Sequence, residues 1–166
     1  MNIEETNRLL LEQARALGIC DKFLEEWTSV KTVNELADMM YRGLDFCLEH
    51  HWPSNEFLVR HFPIEYRRSA HIFVDDEYSV VNPRESIALG TSSVTYRYNG
   101  WSIGIIHIRD NSTARIIAKG KSHVIVHLHE SANASVECEA LAEVVIITHS
   151  KNVTFSGNPT RVKMDS

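Results

Sequence analysis

Nine histidines occur in 166 residues, and four of them have a spacing that chemistry can use. His127 and His129 are separated by one residue, so on a strand both point to the same side. His107 stands twenty residues before His127, and His149 stands twenty after His129. If twenty residues make one coil of the chain, the four imidazoles fall on adjacent rungs about 4.8 Å apart. Neutral imidazoles gathered at that spacing are ligands for zinc, nickel or iron. His107, His127, His129 and His149 are therefore the candidate metal site, and a divalent metal is the only cofactor suggested. The plainer expectation is an outward ladder of stacked polar side chains without an ion. No H-E-x-x-H or C-x-x-C strengthens the metal reading.

Other residues offer less. His127-Leu128-His129, preceded by Gly120, resembles the H-x-H of cupins. In cupins an acid follows several residues later, whereas Glu130 is adjacent here and Glu137 is eight residues on. The second cupin motif is missing. A metal-binding, cupin-like enzyme using the four histidines is thus the alternative function, and no catalytic residue is nominated. His50, His51 and His61 are expected as favourable charges near helix C-termini. Asp75-Asp76-Glu77 lacks the spaced ligands of a calcium loop and reads as a solvated turn. Cys20, Cys47 and Cys138 are odd in number and widely separated, the pattern of reduced thiols in a cytoplasmic protein; Cys138 is expected buried and inert. No G-x-S-x-G, P-loop or G-x-G-x-x-G occurs, which removes support for serine hydrolase, nucleotidase and dinucleotide readings. The hexapeptide repeat of acyltransferase solenoids is absent as well.

The elements that must position the histidines come from two unlike halves. Residues 1–69 read as short helices. Leu9, Leu10, Ala14 and Leu17 recur near helical spacing, with Gly18 as a stop. Asp21 is expected to cap a second helix holding Phe23, Leu24 and Trp27. Thr32 and Glu35 form a capping box ahead of one long amphipathic stretch from Leu36 to Leu48, which ends before Pro53. Ser54 caps a last helix through Phe62. Trp27, Met39, Leu44, Phe46, Phe57 and Phe62 need burial, and the expectation is that this segment packs on the second half.

Residues 70–166 read as strands: Ala70–Val74, Ile87–Leu89, Val94–Tyr98, Ile103–Ile108, Ala114–Lys119, His123–His129, Val136–Cys138 and Glu143–His149. A shift of twenty superposes them. Ile116-Ile117-Ala118-Lys119 falls on Val136-Glu137-Cys138-Glu139, and Val124–His129 falls on Val144–His149. Two strand segments per period, joined by short polar turns, describe a β-solenoid; a cupin-like or other β-sandwich is the alternative. Ile87–Gly90 fits the period poorly. Alternation predicts inward columns Tyr96/Ile116/Val136, Tyr98/Ala118/Cys138, Gly104/Val124/Val144, Ile106/Val126/Ile146 and Ile108/Leu128/Thr148. Outward on the second strand lie Ile105/Ile125/Val145, His107/His127/Ile147 and Arg109/His129/His149. An apolar outward column needs cover, so Ile105, Ile125, Val145 and Ile147 are the candidate interface of a homo-oligomer.

The phrase from Gly43 through His50-His51-Trp52-Pro53 to Phe57, with the coil Asn111-Ser-Thr-Ala-Arg-Ile-Ile-Ala-Lys-Gly120, resembles a group of short, uncharacterised bacterial proteins. That resemblance implies a helical N-terminal segment with a small right-handed β-solenoid and no established activity. The fold class expected is α+β: a short-helix segment, residues 1–69, packed on a single-stranded β-solenoid of about 20 residues per coil, residues 70–166.

Charge and composition bound the rest. Residues 1–69 hold 8 basic and 12 acidic side chains, and residues 70–166 hold 9 and 10, for the overall charge of −5. An acidic balance speaks against a general nucleic-acid binder. No apolar run is long enough to span a membrane, and the first residues lack a secretion signal. The expectation is a cytoplasmic, non-catalytic structural or interaction protein that assembles through its solenoid.

Overall fold

The computed structural model describes residues 1–165. The chain divides into two compact units, Met1–Ala70 and His71–Ser166. Among the described residues these form six helices and eleven strands.

The first unit holds α1 (Ile3–Ala16), α2 (Asp21–Glu26), α3 (Val33–Arg42), α4 (Leu44–His50), α5 (Asn55–His61) and α6 (Ile64–Ser69). The capping box forms as expected: the Glu35 amide donates to the Thr32 hydroxyl, and the Thr32 amide donates to the Glu35 carboxylate at 2.7 Å. Ser54 caps α5 by accepting from the Phe57 amide. Other expectations need correction. Asp21 is the first residue of α2 and Cys20 takes the cap position without a side-chain bond. The long helix through Leu48 is broken at Gly43, where the backbone leaves helical geometry and the Phe23 ring stands 3.0 Å from where a Cβ would be. Residues 64–69 add a helix after Pro63 that the sequence reading omitted. A buried amide organises this unit. Asn7 donates to the carbonyls of Ile3 and Lys31 and accepts from the Trp27 indole at 3.0 Å and the Lys31 amide at 2.8 Å. All its bonding capacity is used, as burial demands.

The second unit is a β-solenoid of about four turns with about twenty residues per coil. Its strands are β1 (Ile72–Val74), β2 (Glu77–Val81), β3 (Glu85–Leu89), β4 (Ser93–Tyr98), β5 (Ile103–Ile108), β6 (Thr113–Ala118), β7 (His123–Leu128), β8 (Asn133–Cys138), β9 (Glu143–Thr148), β10 (Thr154–Gly157) and β11 (Arg161–Met164). Odd strands form one sheet in the order β1-β3-β5-β7-β9-β11, and even strands form the other. Every pairing is parallel. An all-parallel ladder of successive coils is not the antiparallel barrel of a cupin, so that alternative fold is set aside.

The twenty-residue register holds from β3 to β9. Ile103 to Ile108 pair with His123 to Leu128, and those pair with Glu143 to Thr148. The segment expected to fit poorly also obeys it: Ile87 pairs with His107 and Ala88 with Ile108. Its misfit was chemical, an isoleucine where the next coils carry histidine. Outside this range the spacing changes. Ile72 pairs with Ile87, Glu77 with Ser93, Thr154 with Asn133 and Arg161 with Val145.

The inward columns fill the interior. Tyr96, Ile116, Ile106, Val126, Ile146, Val124, Val144 and Leu128 are fully buried. Small side chains serve the corners: Ser92, Ser112 and Ala132 on one, Ser102, Ser122 and Ala142 on the other. The Ser92 hydroxyl donates to the Leu89 carbonyl within its own corner, and the Ser112 hydroxyl donates to the Gly90 carbonyl of the preceding turn. The acidic run is not a solvated turn throughout. Asp75 has positive φ, but Asp76 is buried and its amide donates to the Ser92 hydroxyl, while Glu77 begins β2.

Candidate metal centre

Alternation along β5, β7 and β9 turns His107, His127 and Ile147 away from the interior, since their neighbours Ile106, Ile108, Val126, Leu128 and Ile146 fill it. In the ladder Ile87, His107, His127 and Ile147 are consecutive rungs of one column. His129 and His149 follow β7 and β9 directly, held by amide bonds to the carbonyls of Ile108 and Leu128 at 2.9 and 2.8 Å. Parallel pairing on both sides gives each imidazole a stiff support.

The four rings make two stacks. His107 lies on His127 with centroids 4.3 Å apart, and His129 lies on His149 at the same 4.3 Å. The stacks meet edge to edge along diagonals of 22 residues. His107 Nδ1 stands 3.2 Å from His129 Nε2, and His127 Nδ1 stands 2.8 Å from His149 Nε2. The same lean joins Arg115 to Glu137 on the opposite sheet. One nitrogen from each of His107, His127 and His129 lies within 4.8 Å of the others. All four rings are half-buried.

Burial sets the electrostatics. Loss of water, reinforced by neighbouring imidazoles, pushes His107 down to about 2. The same cause, with His149, His127 and Arg109 adding repulsion, pushes His129 down to about 3. At neutral pH both are neutral imidazoles with a lone pair, the form a metal requires. Arg109, one rung before His129, is 5 % exposed and pairs with Asp110 at 3.1 Å. His149 Nδ1 reaches Asp165 at 2.9 Å.

The structure thus gathers all four histidines nominated from the sequence. Asp165 and the diagonal offset were missed. A period of 22 for side-chain contact, laid over 20 for the backbone, was the available signal. The remaining nominees stand elsewhere. His50 packs on Phe46 and His61 on Phe57, at the ends of α4 and α5. Ile105 is exposed, Ile125 and Ile147 are half-buried, and Val145 is buried within the chain. No disulfide joins the cysteines among the described residues. Cys138 is half-buried, with its thiol near the Ala142 carbonyl, because the coil beyond it covers it incompletely.

Compared with protein-family models, curated proteins and solved structures, the chain matches none.

Proposed function

We propose that the chain is a non-catalytic, metal-binding β-solenoid protein whose outward imidazoles hold a divalent late transition-metal ion, zinc, nickel or iron. One observation carries this reading: His107, His127 and His129 bring three nitrogens within 4.8 Å of one another on a rigid ladder. An all-imidazole set suits such ions and disfavours magnesium and calcium, which take oxygen. The 3.2 Å between His107 Nδ1 and His129 Nε2 is close to the roughly 3.3 Å that a tetrahedral ion with 2.0 Å bonds would impose. Calorimetric titration of tag-free, chelator-stripped protein with zinc tests the reading. One zinc per chain is expected, together with loss of binding in His107→Ala. No heat of binding in the unaltered protein would overturn it.

A second reading, self-association, is favoured by the last coil. Phe155 pairs beside Ala134, Val162 beside Ile146 and Met164 beside Thr148, so all three continue inward columns. They are nevertheless 43 %, 43 % and 85 % exposed. An interior layer without a cap invites a partner, and a second copy is the occupant this reading names. Among the described residues no helix is long and apolar enough to cross a membrane. Likeness to short bacterial proteins, a right-handed coil, a cytoplasmic location and the absence of nucleic-acid partners belong to the same proposal. The widely spaced cysteines and the acidic charge support the last two.

A further inference from the structure

We infer that two copies of the chain join at their last coils about a two-fold axis, with β11 of each pairing antiparallel to β10 of the other. This rests on the self-association reading above and names the strands that meet.

The two ends of the ladder differ. Among the described residues β1 and β2 are the outermost strands at one end, and β10 and β11 at the other. In the first coil the inward residues Phe73 and Val80 are buried, and Tyr78, 36 % exposed, stacks its ring on Phe73. In the last coil the inward residues Phe155, Val162 and Met164 are all exposed. Contact between like ends covers both open layers at once and leaves no further end to grow from. Contact between unlike ends would repeat into a fibre.

A two-fold axis can continue both sheets in two ways. Each corner reverses the chain, so β10 and β11 run in opposite directions on their two sheets. An axis perpendicular to the sheets sets β11 against β11 and β10 against β10. An axis along the strands sets β11 against β10. Both pairings are antiparallel, and both keep inward side chains inward.

The outward side chains decide between them. Arg161 and Lys163 share rungs with Val145 and Ile147, on the outer face. If β11 met β11, Arg161 of each copy would stand opposite Lys163 of the other, and like charges opposed across strands are unfavourable. If β11 meets β10, the two cations face Ser156 and Thr154, which share rungs with Ser135 and Asn133. The register of fullest overlap lays Arg161–Met164 along residues 156 to 153 of the second copy. Val162 then meets Phe155, and Met164 meets Val153, which already packs in part on the interior. Every inward pair is apolar, and the edge amides and carbonyls of both strands gain partners.

Disulfide trapping tests the pairing. Residues directly opposite in an antiparallel pair have Cα atoms about 4.5–5.5 Å apart, within reach of a disulfide. The background is the full chain with Cys20→Ser and Cys138→Ala, leaving only the buried Cys47. Light scattering is expected to find two copies per particle, without growth at higher concentration. Thr154→Cys with Lys163→Cys should then convert almost wholly to a covalent dimer under mild oxidation. Each single variant alone should give none, and an equal mixture of the two about half as much. Val162→Cys reports the rival pairing, in which Val162 stands opposite its own copy. Cross-linking of Val162→Cys, or a dimer that neither set traps, would overturn the β11–β10 pairing. Particles that lengthen with concentration would overturn the two-fold closure. A monomer in the unaltered protein would instead sink the self-association reading itself.

Discussion

Gly104 shows how one residue keeps the ladder beneath the histidines intact. It sits in an inward column where the next two coils carry Val124 and Val144. A Cβ there would lie 2.3 Å from Tyr98 Oη and 2.4 Å from two of its ring carbons. Tyr98 is buried and donates to the Pro83 carbonyl at 2.9 Å, so it has little freedom to retreat. Gly104→Ala should therefore destabilise the solenoid by about 1–3 kcal/mol, the usual cost of overpacking. Urea denaturation measures it, and a shorter side chain at position 98 should reduce the penalty. A midpoint unchanged by the alanine would show that the strand shifts freely and that Tyr98 does not fix this layer.

At the scale of strands, the two faces of each ladder predict different responses. Val126 is fully buried in an inward column between Ile106 and Ile146. Val126→Asp leaves a charge without water or partner and should unfold the second unit. Lys119 is half exposed and 3.9 Å from Glu139, so Lys119→Ala should change stability by less than about 1 kcal/mol. Equal effects in the denaturation curves would mean that the faces are misassigned.

The histidine ladder adds a pH dependence. His107 and His129 are pushed down to about 2 and about 3, against about 6.5 for an unfolded histidine. Between those values only the unfolded chain takes up the protons. Stability is therefore complete above pH 6.5 and falls below it, by up to about 1.4 kcal/mol per pH unit for each group. His127, His149, Arg109 and Asp165 share the field, so the clean measurement compares metal-free protein with His107→Gln at pH 7.5 and 5. The unaltered protein should lose more stability on acidification. A steeper loss in the variant would contradict this origin.

Much of this ladder could be read from the chain because successive coils repeat one register. Tyr96, Ile116 and Val136 fall in line whichever pair is compared. The strands β2, β10 and β11 could not be found that way. Their turns shorten or lengthen, shifting the pairing to Glu77 with Ser93, Thr154 with Asn133 and Arg161 with Val145. The helix breaks at Gly43, where the Phe23 ring stands 3.0 Å from the place of a Cβ, a neighbour that no periodicity locates. Asp165 escaped notice for a similar reason. Its partner His149 is close in space only because β11 returns beside β9 on a spacing of its own.

Over the whole molecule, the second unit is an interior closed along its sides and open at the last coil. Phe155, Val162 and Met164 are interior residues by register but exposed. Light scattering at micromolar concentration should therefore find an oligomer. Val162→Lys with Met164→Lys should give a folded monomer, while Ile125→Lys should leave assembly intact. Dissociation by Ile125→Lys alone would move the interface to the outward column. A monomer in the unaltered protein would refute assembly altogether.

Metal binding by the outward histidines is the central claim, and X-ray absorption at the zinc edge of the tag-free, zinc-loaded chain tests it most directly. The account predicts a four-coordinate ion whose nearest neighbours are nitrogen or oxygen at about 2.0–2.1 Å, with the outer-atom scattering of three imidazole rings. A spectrum showing oxygen neighbours without imidazole scattering, or sulfur at about 2.3 Å, would contradict it.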